Sequence, residues 1–296
     1  MAQPLDPDQT EGVFVVTGAN SGLGFEVARN LASASPRNEV ILGCRDVNKG
    51  RAAGREIERA TGNARVRVIE LDLNSMASVR AFADQVQGPI AALVCNAGIA
   101  RGDYETVDGL DAVFETNHLG HYLLTLSLLD QLGPDGRIVV VSSDMHHPPG
   151  PELRWPGAEA LSKPNRSRSV AVQRYSFSKL CNLYFVHELA RRLRTRDSGI
   201  SVAAFNPGLM TETNFAKVPA FVAAVMRRVF AARAGNLAGS ASALTTLAGR
   251  HGAGDFDGEY FDRTAVAPGR SSALSHNAEN AQDLWRLSAS LTGVDL

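Results

Sequence analysis

Short apolar runs alternate with longer amphipathic segments along this chain. The apolar runs, rich in β-branched residues, lie at 12–17, 39–44, 90–95, 137–142, 200–205 and 258–261, and residues 65–71 alternate between apolar and polar. Helical spacing of apolar residues follows the first run to residue 34 and recurs at 48–60, 75–86, 107–132, 175–194, 217–233, 236–250 and 277–291. Buried parallel strands read as near-continuous apolar runs. The alternation therefore predicts an α/β fold, a doubly wound Rossmann-type parallel sheet of about seven strands with helices on both faces.

Composition and charge exclude several classes of protein. The 296 residues are 44% hydrophobic and 21% charged, as in soluble globular proteins. Thirty basic residues face 31 acidic ones, for a net charge of −1, which removes the electrostatic reason to expect a nucleic-acid partner. We expect one domain over residues 1–296.

Targeting and redox signals point to a cytoplasmic protein. The polar, acidic first residues lack the pattern of a secretory signal, and no apolar run approaches the ~18 residues of a membrane span. Cys44, Cys95 and Cys181 are too few and too scattered for a disulfide framework or a zinc site. We therefore expect free thiols, a cytoplasmic location and no integral membrane segment.

A glycine-rich turn follows the first predicted strand. Ligands of doubly wound sheets bind beyond the carboxyl ends of the strands, so these ends hold the candidate site. The first end reads TGANSGLG at 17–24, and a helix follows it. Glycines allow a tight turn and close approach to a pyrophosphate resting on the helix N-terminus. The spacing differs from GxGxxG because residue 27 is Val, and an ordinary glycine turn is the alternative.

The second strand end carries the signal for the type of coenzyme. An acidic residue about 20 positions beyond the glycines would bind the ribose hydroxyls and repel a 2′-phosphate. This chain has Cys44 and Arg45 there, and an arginine pairs with phosphate. The pattern favours NADP(H) over NAD. The alternative is a solvent-facing Arg45 neutralised by Asp46, or Asp46 itself in the ribose role.

Polar or small residues follow the next three strands. Asp72 is a candidate acceptor for the adenine amino group, or else the N-terminal signal of the next helix. The segment 95–98, CNAG, forms a small-residue turn able to pass close to a nucleotide. The fifth strand ends in Ser142 and Ser143.

A tyrosine and a lysine share one helical face in the segment 175–179, YSFSK. The spacing of four residues places Tyr175 and Lys179 side by side. An ammonium near a phenol favours the phenolate, which predicts a lowered pKa for Tyr175 and a general acid/base usable near neutrality.

Taken together, these motifs resemble those of the short-chain dehydrogenase/reductase family over about residues 12–261. The resemblance rests on TGANSGLG (17–24), LDL (71–73), CNAG (95–98), TNHLG (116–120), SS (142–143), YSFSK (175–179) and NPG (206–208), all in family order.

The resemblance implies a role for each matching position. Tyr175 would exchange the proton with the substrate oxygen, Ser143 would hydrogen-bond that oxygen, Lys179 would hold the nicotinamide ribose, and Asn117 would anchor a proton-relaying water. The implied coenzyme-binding residues are Gly18, Asn20, Ser21, Gly22, Leu23, Gly24, Arg45, Asp72, Leu73, Asn96, Ala97, Gly98, Tyr175, Lys179, Pro207, Gly208 and Thr213. The family threonine often lies one residue before Thr213, where this chain has Glu212.

Further segments resemble one subgroup, which holds retinol dehydrogenase-like enzymes, related carbonyl reductases and light-dependent protochlorophyllide reductases. These segments are CRD after the second strand, NHLGHY, SKLCN and LWRLSASLTG. The subgroup generally prefers NADP(H). Cys181 matches the first reactive cysteine of the light-dependent branch, but Leu209 stands where that branch has its second.

The segment 209–235 is expected to form a lid over the substrate. Its stretch 218–232 is rich in Phe, Val and Met, which indicates a bulky apolar substrate, such as a ketone, an aldehyde or a retinoid-like molecule. Contact with a membrane surface is the alternative use of this segment. Four histidines, His118, His121, His146 and His147, are not expected to bind a metal, although His146 and His147 could face the substrate.

The leading hypothesis is therefore an NADP(H)-dependent oxidoreductase that moves a hydride between nicotinamide and a carbonyl or alcohol carbon, with Tyr175 as general acid/base. Light-driven C=C reduction and a catalytically silent NADP(H) sensor are the alternatives. Homo-oligomers are frequent among relatives of this kind.

Overall fold

Seven parallel strands form the central sheet of the protein. The computed structural model describes residues 11–100, 104–149, 152–165, 171–208, 236–249, 256–263 and 268–296. The strands are β1 (Val13–Thr17), β2 (Glu39–Cys44), β3 (Val66–Glu70), β4 (Ile90–Cys95), β5 (Leu132–Val141), β6 (Ser201–Asn206) and β7 (Tyr260–Asp262). Their order across the sheet is β3-β2-β1-β4-β5-β6-β7, and every pairing is parallel. The predicted Rossmann-type α/β fold is confirmed.

Helices cover both faces of this sheet. They are α1 (Gly22–Ala34), α2 (Val47–Thr61), α3 (Met76–Ala83), α4 (Ala112–Phe114), α5 (Gly120–Leu128), α6 (Ala158–Ser162), α7 (Ala171–Thr195), α8 (Leu237–Gly249) and α9 (Ala278–Thr292), with a π-turn at Glu115–Leu119 and short 3₁₀ turns at Leu129–Gln131, Asp144–His146 and Ala273–His276. No helix in these described ranges combines the length and hydropathy needed to span a bilayer.

Successive strand residues point to opposite faces, and both faces are buried. In β1, Val15 packs with the cluster under α3, α5 and α7, whereas Phe14 and Val16 pack with the cluster under α1, α2 and α8. This double burial explains why the central strands are mostly apolar, whereas Arg67 and Glu70 of the edge strand β3 are exposed. The carboxyl ends of the strands are therefore the places to look for polar chemistry.

The helix predicted at 107–132 is instead a series of shorter turns. Asp111 begins α4 by accepting a hydrogen bond from the Phe114 N–H at 3.0 Å, and a π-turn then separates α4 from α5. Strand β5 begins at Leu132, five residues before the predicted start, because Leu132 already pairs with Ile90 of β4.

The region before the Tyr175 helix also differs from the prediction. The loop predicted at 144–169 contains the turn Asp144–His146 and helix α6, and α7 begins at Ala171. Tyr175 and Lys179 therefore lie inside a continuous helix. The expected lid at 209–235, with Leu209, Glu212 and Thr213, lies outside the described residues.

Candidate active site

The glycine loop, residues 17–24, connects β1 to α1 at the carboxyl edge of the sheet. Gly18 adopts a positive φ of +66°. A Cβ at Gly24 would lie 2.6 Å from the Gly18 carbonyl oxygen and 2.5 Å from the Asn96 amide nitrogen. Ser21 precedes α1 without capping it through its side chain. The loop thus offers close backbone approach and a helix N-terminus, which fits the pyrophosphate of a dinucleotide.

The other predicted loop residues surround this helix end. Ser21 is exposed and Asn20 and Gly22 are half-buried, whereas Leu23 is buried. Of these, Leu23 can contact a coenzyme only through its backbone, because its side chain packs in the core.

Cys44 is buried against the glycine loop. Burial raises the pKa of its thiol to about 11, although hydrogen bonds with the backbone of Ala19 and Asn20 lower that pKa in part. The thiol therefore supports the loop from below.

Arg45 and Asp46 diverge at the end of β2. Asp46 caps α2 by accepting from the Lys49 N–H at 3.1 Å, and its carboxylate pairs with the Lys49 ammonium at 3.0 Å. The backbone hydrogen bond from Lys49 leads the causes that lower the pKa of Asp46. Arg45 is exposed and makes no ion pair among the described residues. In the structure, Asp46 therefore pairs with Lys49 and does not neutralise Arg45.

The third strand end is a compact polar turn. Asp72 accepts from the Asn74 N–H at 3.0 Å, and Ser75 caps α3 by accepting from the Ser78 N–H. Asp72 is thus not the helix cap, and its half-buried carboxylate lies at the sheet edge. Leu73 is buried against the backbone of Gly120.

The end of β4 is joined to the end of β1. The backbone N–H groups of Asn96 and Ala97 both donate to the Thr17 hydroxyl at 2.9 Å, and the Asn96 amide donates to the Thr17 carbonyl at 2.8 Å. A Cβ at Gly98 would lie 3.2 Å from Asn117 Oδ1 and 3.5 Å from Lys179 Nζ. The CNAG turn therefore borders two of the predicted catalytic residues.

Asn117 lies in the π-turn, a local widening of the helix that is frequent at functional sites. Its Oδ1 accepts from the Ile99 N–H at 2.7 Å, and its amide donates to the Ile99 carbonyl and to the Ser178 hydroxyl, each at 2.9 Å. The side chain is fully buried, and its hydrogen bonds connect the loop after β4 to helix α7.

Lys179 lies one helical turn after Tyr175 and is buried. Its ammonium donates to the Val141 carbonyl at 2.9 Å and lies 5.8 Å from the centre of the Tyr175 ring. Burial lowers the pKa of Lys179 to about 8.

The two serines after β5 have different partners. The Ser143 hydroxyl donates to Asp144 Oδ1 at 3.3 Å and accepts from the Met145 N–H at 3.2 Å, and its hydrogen bonding with the Tyr175 phenol lowers the pKa of that phenol. The Ser142 hydroxyl donates to the backbone carbonyl of Lys179 at 2.8 Å. Of the pair, Ser143 is the serine that bonds to the phenol, and the catalytic role that the family resemblance implies for it stays a prediction.

The direction of the Tyr175 pKa shift is opposite to the expectation. Burial raises this pKa above its ordinary value, and the hydrogen bond with Ser143 opposes the rise only in part. The Lys179 ammonium is directed at the Val141 carbonyl. At neutral pH, Tyr175 is therefore a protonated hydrogen donor.

The turn after β6 is held from both sides. Gly208 has a φ of +77°, and its N–H donates to Asn206 Oδ1 at 3.0 Å. The Ser240 hydroxyl donates to the Pro207 carbonyl at 2.7 Å. Pro207 and Gly208 thus form a turn held by hydrogen bonds at the carboxyl end of β6, and their contact with the nicotinamide stays a prediction.

The structure gives supporting roles to several residues that the sequence left open or did not single out. His146 donates from Nδ1 to the Ser143 carbonyl at 2.6 Å and accepts at Nε2 from the Ser272 N–H at 3.0 Å, so it is a buried support of the serine. Thr17 and Ser178 also support the site. Thr17 could have been found from its position at the end of a strand, and Ser178 from its position close to Tyr175. Among the described residues, no group of three metal-ligating side chains occurs.

Cys181 is completely buried in the apolar cluster around Phe114, Leu180 and Tyr184. Burial raises the pKa of its thiol above the ordinary range. A buried, protonated thiol of this kind is unreactive.

A Rossmann-type sheet, a glycine loop and a serine–tyrosine pair at the same edge define a dinucleotide-dependent oxidoreductase. The family model for short chain dehydrogenases matches residues 12–154. Human retinol dehydrogenase 12 is 35% identical over 291 residues, which cover 95% of this chain and 86% of the relative. The WW domain-containing oxidoreductase of Drosophila melanogaster is 33% identical over 294 residues, which cover 94% of this chain and 67% of the relative. The chain belongs to the short-chain dehydrogenase/reductase family, in its retinol dehydrogenase-like subgroup.

Solved structures agree with this assignment. An uncharacterised protein from Mycobacterium paratuberculosis superimposes with a TM-score of 0.73 at 32% identity, covering 99% of both chains. A short chain dehydrogenase from Burkholderia cenocepacia, solved in complex with NADP, has the same fold, with a TM-score of 0.66 at 23% identity. The match covers 89% of this chain and 98% of that structure.

Proposed function

We propose that the protein is an NADP(H)-dependent oxidoreductase that interconverts a carbonyl group and an alcohol on a bulky apolar substrate. The observation that carries this proposal is the grouping of Ser143, Tyr175 and the buried Lys179, in which Lys179 Nζ lies 5.8 Å from the centre of the Tyr175 ring and the Ser143 hydroxyl is hydrogen-bonded to the phenol. A protonated phenol and a hydroxyl meeting at one point can both bind a single substrate oxygen.

The chain's own residues would manage the proton and the charge. Tyr175 would donate its proton to the carbonyl oxygen while Ser143 donates a hydrogen bond to it. The neighbouring Lys179 ammonium would stabilise the tyrosinate that forms. When bound, the coenzyme supplies the hydride that reaches the carbonyl carbon. The proton and the hydride together convert the carbonyl to an alcohol.

The preference for NADP(H) rests on Arg45. It is exposed at the end of β2, and Asp46 is already occupied by Lys49. An exposed guanidinium fits a 2′-phosphate, and no acidic side chain takes the position that would repel one. The NADP complex of the Burkholderia structure is consistent with this assignment.

An apolar substrate is supported by two lines. The sequence 218–232 is rich in Phe, Val and Met, and the matched relatives include enzymes named for retinol, an apolar alcohol. Light-driven reduction gains no support from the buried Cys181. A silent sensor would not need the Ser143–Tyr175 contact.

The test is NADPH consumption in the dark with a panel of bulky apolar aldehydes and ketones. The Tyr175→Phe variant should lose at least about 100-fold in turnover, the usual contribution of a positioned acid, while still binding NADPH. Tyr184→Phe is the matched control, since Tyr184 lies on the same helix and its hydroxyl bonds to the Leu274 carbonyl at 3.0 Å. Turnover that survives in Tyr175→Phe, or no turnover on any substrate despite NADPH binding, would contradict the proposal.

A further inference from the structure

The Thr17 hydroxyl is the centre of a directed hydrogen-bond network. It accepts from the N–H groups of Asn96 and Ala97 at 2.9 Å. A hydroxyl has two lone pairs and one proton, so its accepting capacity is filled and one proton remains to donate. His121 Nε2 lies at 2.9 Å and the Val94 carbonyl at 3.4 Å. The closer nitrogen is therefore the acceptor.

The tautomer of His121 follows from its two partners. Its Nδ1 lies 3.3 Å from the Asn117 carbonyl, which can only accept, so Nδ1 carries the proton and Nε2 is free to accept from Thr17. Burial lowers the pKa of His121 to about 4, so the ring is neutral at physiological pH. Protonation of Nε2 would direct a third donor at the Thr17 hydroxyl, which has no lone pair left for it.

From Asn117 the hydrogen-bond network continues to helix α7, which carries Tyr175. The Asn117 amide donates to the Ser178 hydroxyl at 2.9 Å, and that hydroxyl donates to the Tyr175 carbonyl at 2.7 Å. One buried imidazole thus joins the strand end that carries the glycine loop to the π-turn that holds α7.

We infer that His121 is a positioning residue that couples the coenzyme-binding end of β1 to the Asn117 turn. The inference rests on the proposed function, since it assigns the two ends of the network to coenzyme binding and to catalysis. Through Nε2, His121 fixes Thr17 and with it the Gly18 and Asn96–Ala97 turns. Through Nδ1, it fixes the turn that aligns Asn117 with Lys179 and Tyr175.

Two substitutions remove these contacts separately. An asparagine places its amide near the position of Nδ1, and a glutamine places its amide near that of Nε2. His121→Asn keeps a donor for the Asn117 carbonyl and loses the acceptor for Thr17. His121→Gln keeps the acceptor and loses the donor. His121→Phe fills the space and loses both.

The experiment measures the coenzyme Kd by fluorescence titration, with whichever of NADPH and NADH binds the wild type more tightly, and kcat with the best substrate. His121→Phe should weaken the Kd and lower the kcat by about tenfold each, the usual effect of one buried hydrogen bond. The loss should fall mainly on the Kd in His121→Asn and mainly on the kcat in His121→Gln. His187→Gln is the control, because His187 is a half-buried histidine whose partners, Ser275 and His276, lie outside the network.

The opposing result is equally clear. If His121→Phe melts at a lower temperature but keeps the Kd and the kcat of the wild type, or if the Asn and Gln variants lose both constants equally, His121 is structural only. A wild type that binds coenzyme but reduces no carbonyl would overturn the proposed function. In that case, a comparison of the coenzyme Kd of His121→Asn with that of His121→Gln would still test this inference.

Discussion

The Ser142 hydroxyl donates to the backbone carbonyl of Lys179 at 2.8 Å, whereas the next residue, Ser143, bonds to the Tyr175 phenol. Successive residues at a strand end point in opposite directions, so the two hydroxyls reach different parts of α7. Ser142 fixes the helix to the sheet, and Ser143 meets the group that is expected to transfer a proton.

Alanine substitutions should separate these two serines. Ser143→Ala should lower the kcat by about 100-fold, because it removes a donor at the reacting oxygen. Ser142→Ala should lower the free energy of unfolding by about 1 kcal/mol, the usual effect of losing a buried hydrogen bond. Thermal melts and steady-state rates on both variants check this, and equal losses of kcat in the two would contradict it.

Arg45 should determine the preference for NADPH over NADH. Arg45→Ala should raise the KM for NADPH by about tenfold or more, because an arginine–phosphate pair is lost, and should leave the KM for NADH nearly unchanged. Arg59→Ala is the control, since this exposed arginine lies at the far end of α2. A uniform change with both coenzymes would show that Arg45 does not read the 2′-phosphate.

Carbonyl reduction should slow as the pH rises through about 8. Lys179 has a pKa lowered to about 8 by burial, so its positive charge is present below that pH and lost above it. Without the charge, the tyrosinate left by proton transfer is less stable. A pH–rate profile of the wild type beside Lys179→Met checks this, since the variant should be slow and lack this decline. The same decline in both proteins would assign it to another group.

Glu115 should make the fold less stable as the pH rises. Burial raises the pKa of this carboxyl from 4.5 to about 8, with the charges of Asp108 and Asp72 adding to the rise. Between these two values the unfolded chain releases a proton that the folded chain retains, so the free energy of unfolding falls as the pH increases.

Glu115→Gln should remove that slope and raise stability at pH 8 by on the order of 1–2 kcal/mol. Urea denaturation at several pH values measures it. Glu159→Gln, at an exposed ion pair with Lys163, is the control and should change stability by less than about 1 kcal/mol. A wild type with flat stability from pH 5 to pH 8 would show that Glu115 is not held protonated.

The sheet and the strand-end motifs could be predicted because their signals are local. A buried parallel strand is an apolar run, and the residues after it must meet at one edge, which is how Ser143 and Tyr175 come together across the sequence. The π-turn at Glu115–Leu119 could not be predicted from residues 115–119 alone, because Asn117 within it bonds to Ile99 and Ser178, which only the fold brings close to it. The same holds for His146, whose partner Ser272 lies 126 residues away. The Tyr175 pKa was predicted in the wrong direction because burial, which dominates it, is a tertiary property.

The most direct test of the account is to reduce a carbonyl substrate with NADPH carrying deuterium at the transferring position, in the dark, and to locate the label by mass spectrometry and NMR. The account predicts one deuterium on the carbinol carbon, absent from the product of Tyr175→Phe over the same time. A product with no deuterium on that carbon, or with the label on a reduced C=C bond, would contradict it.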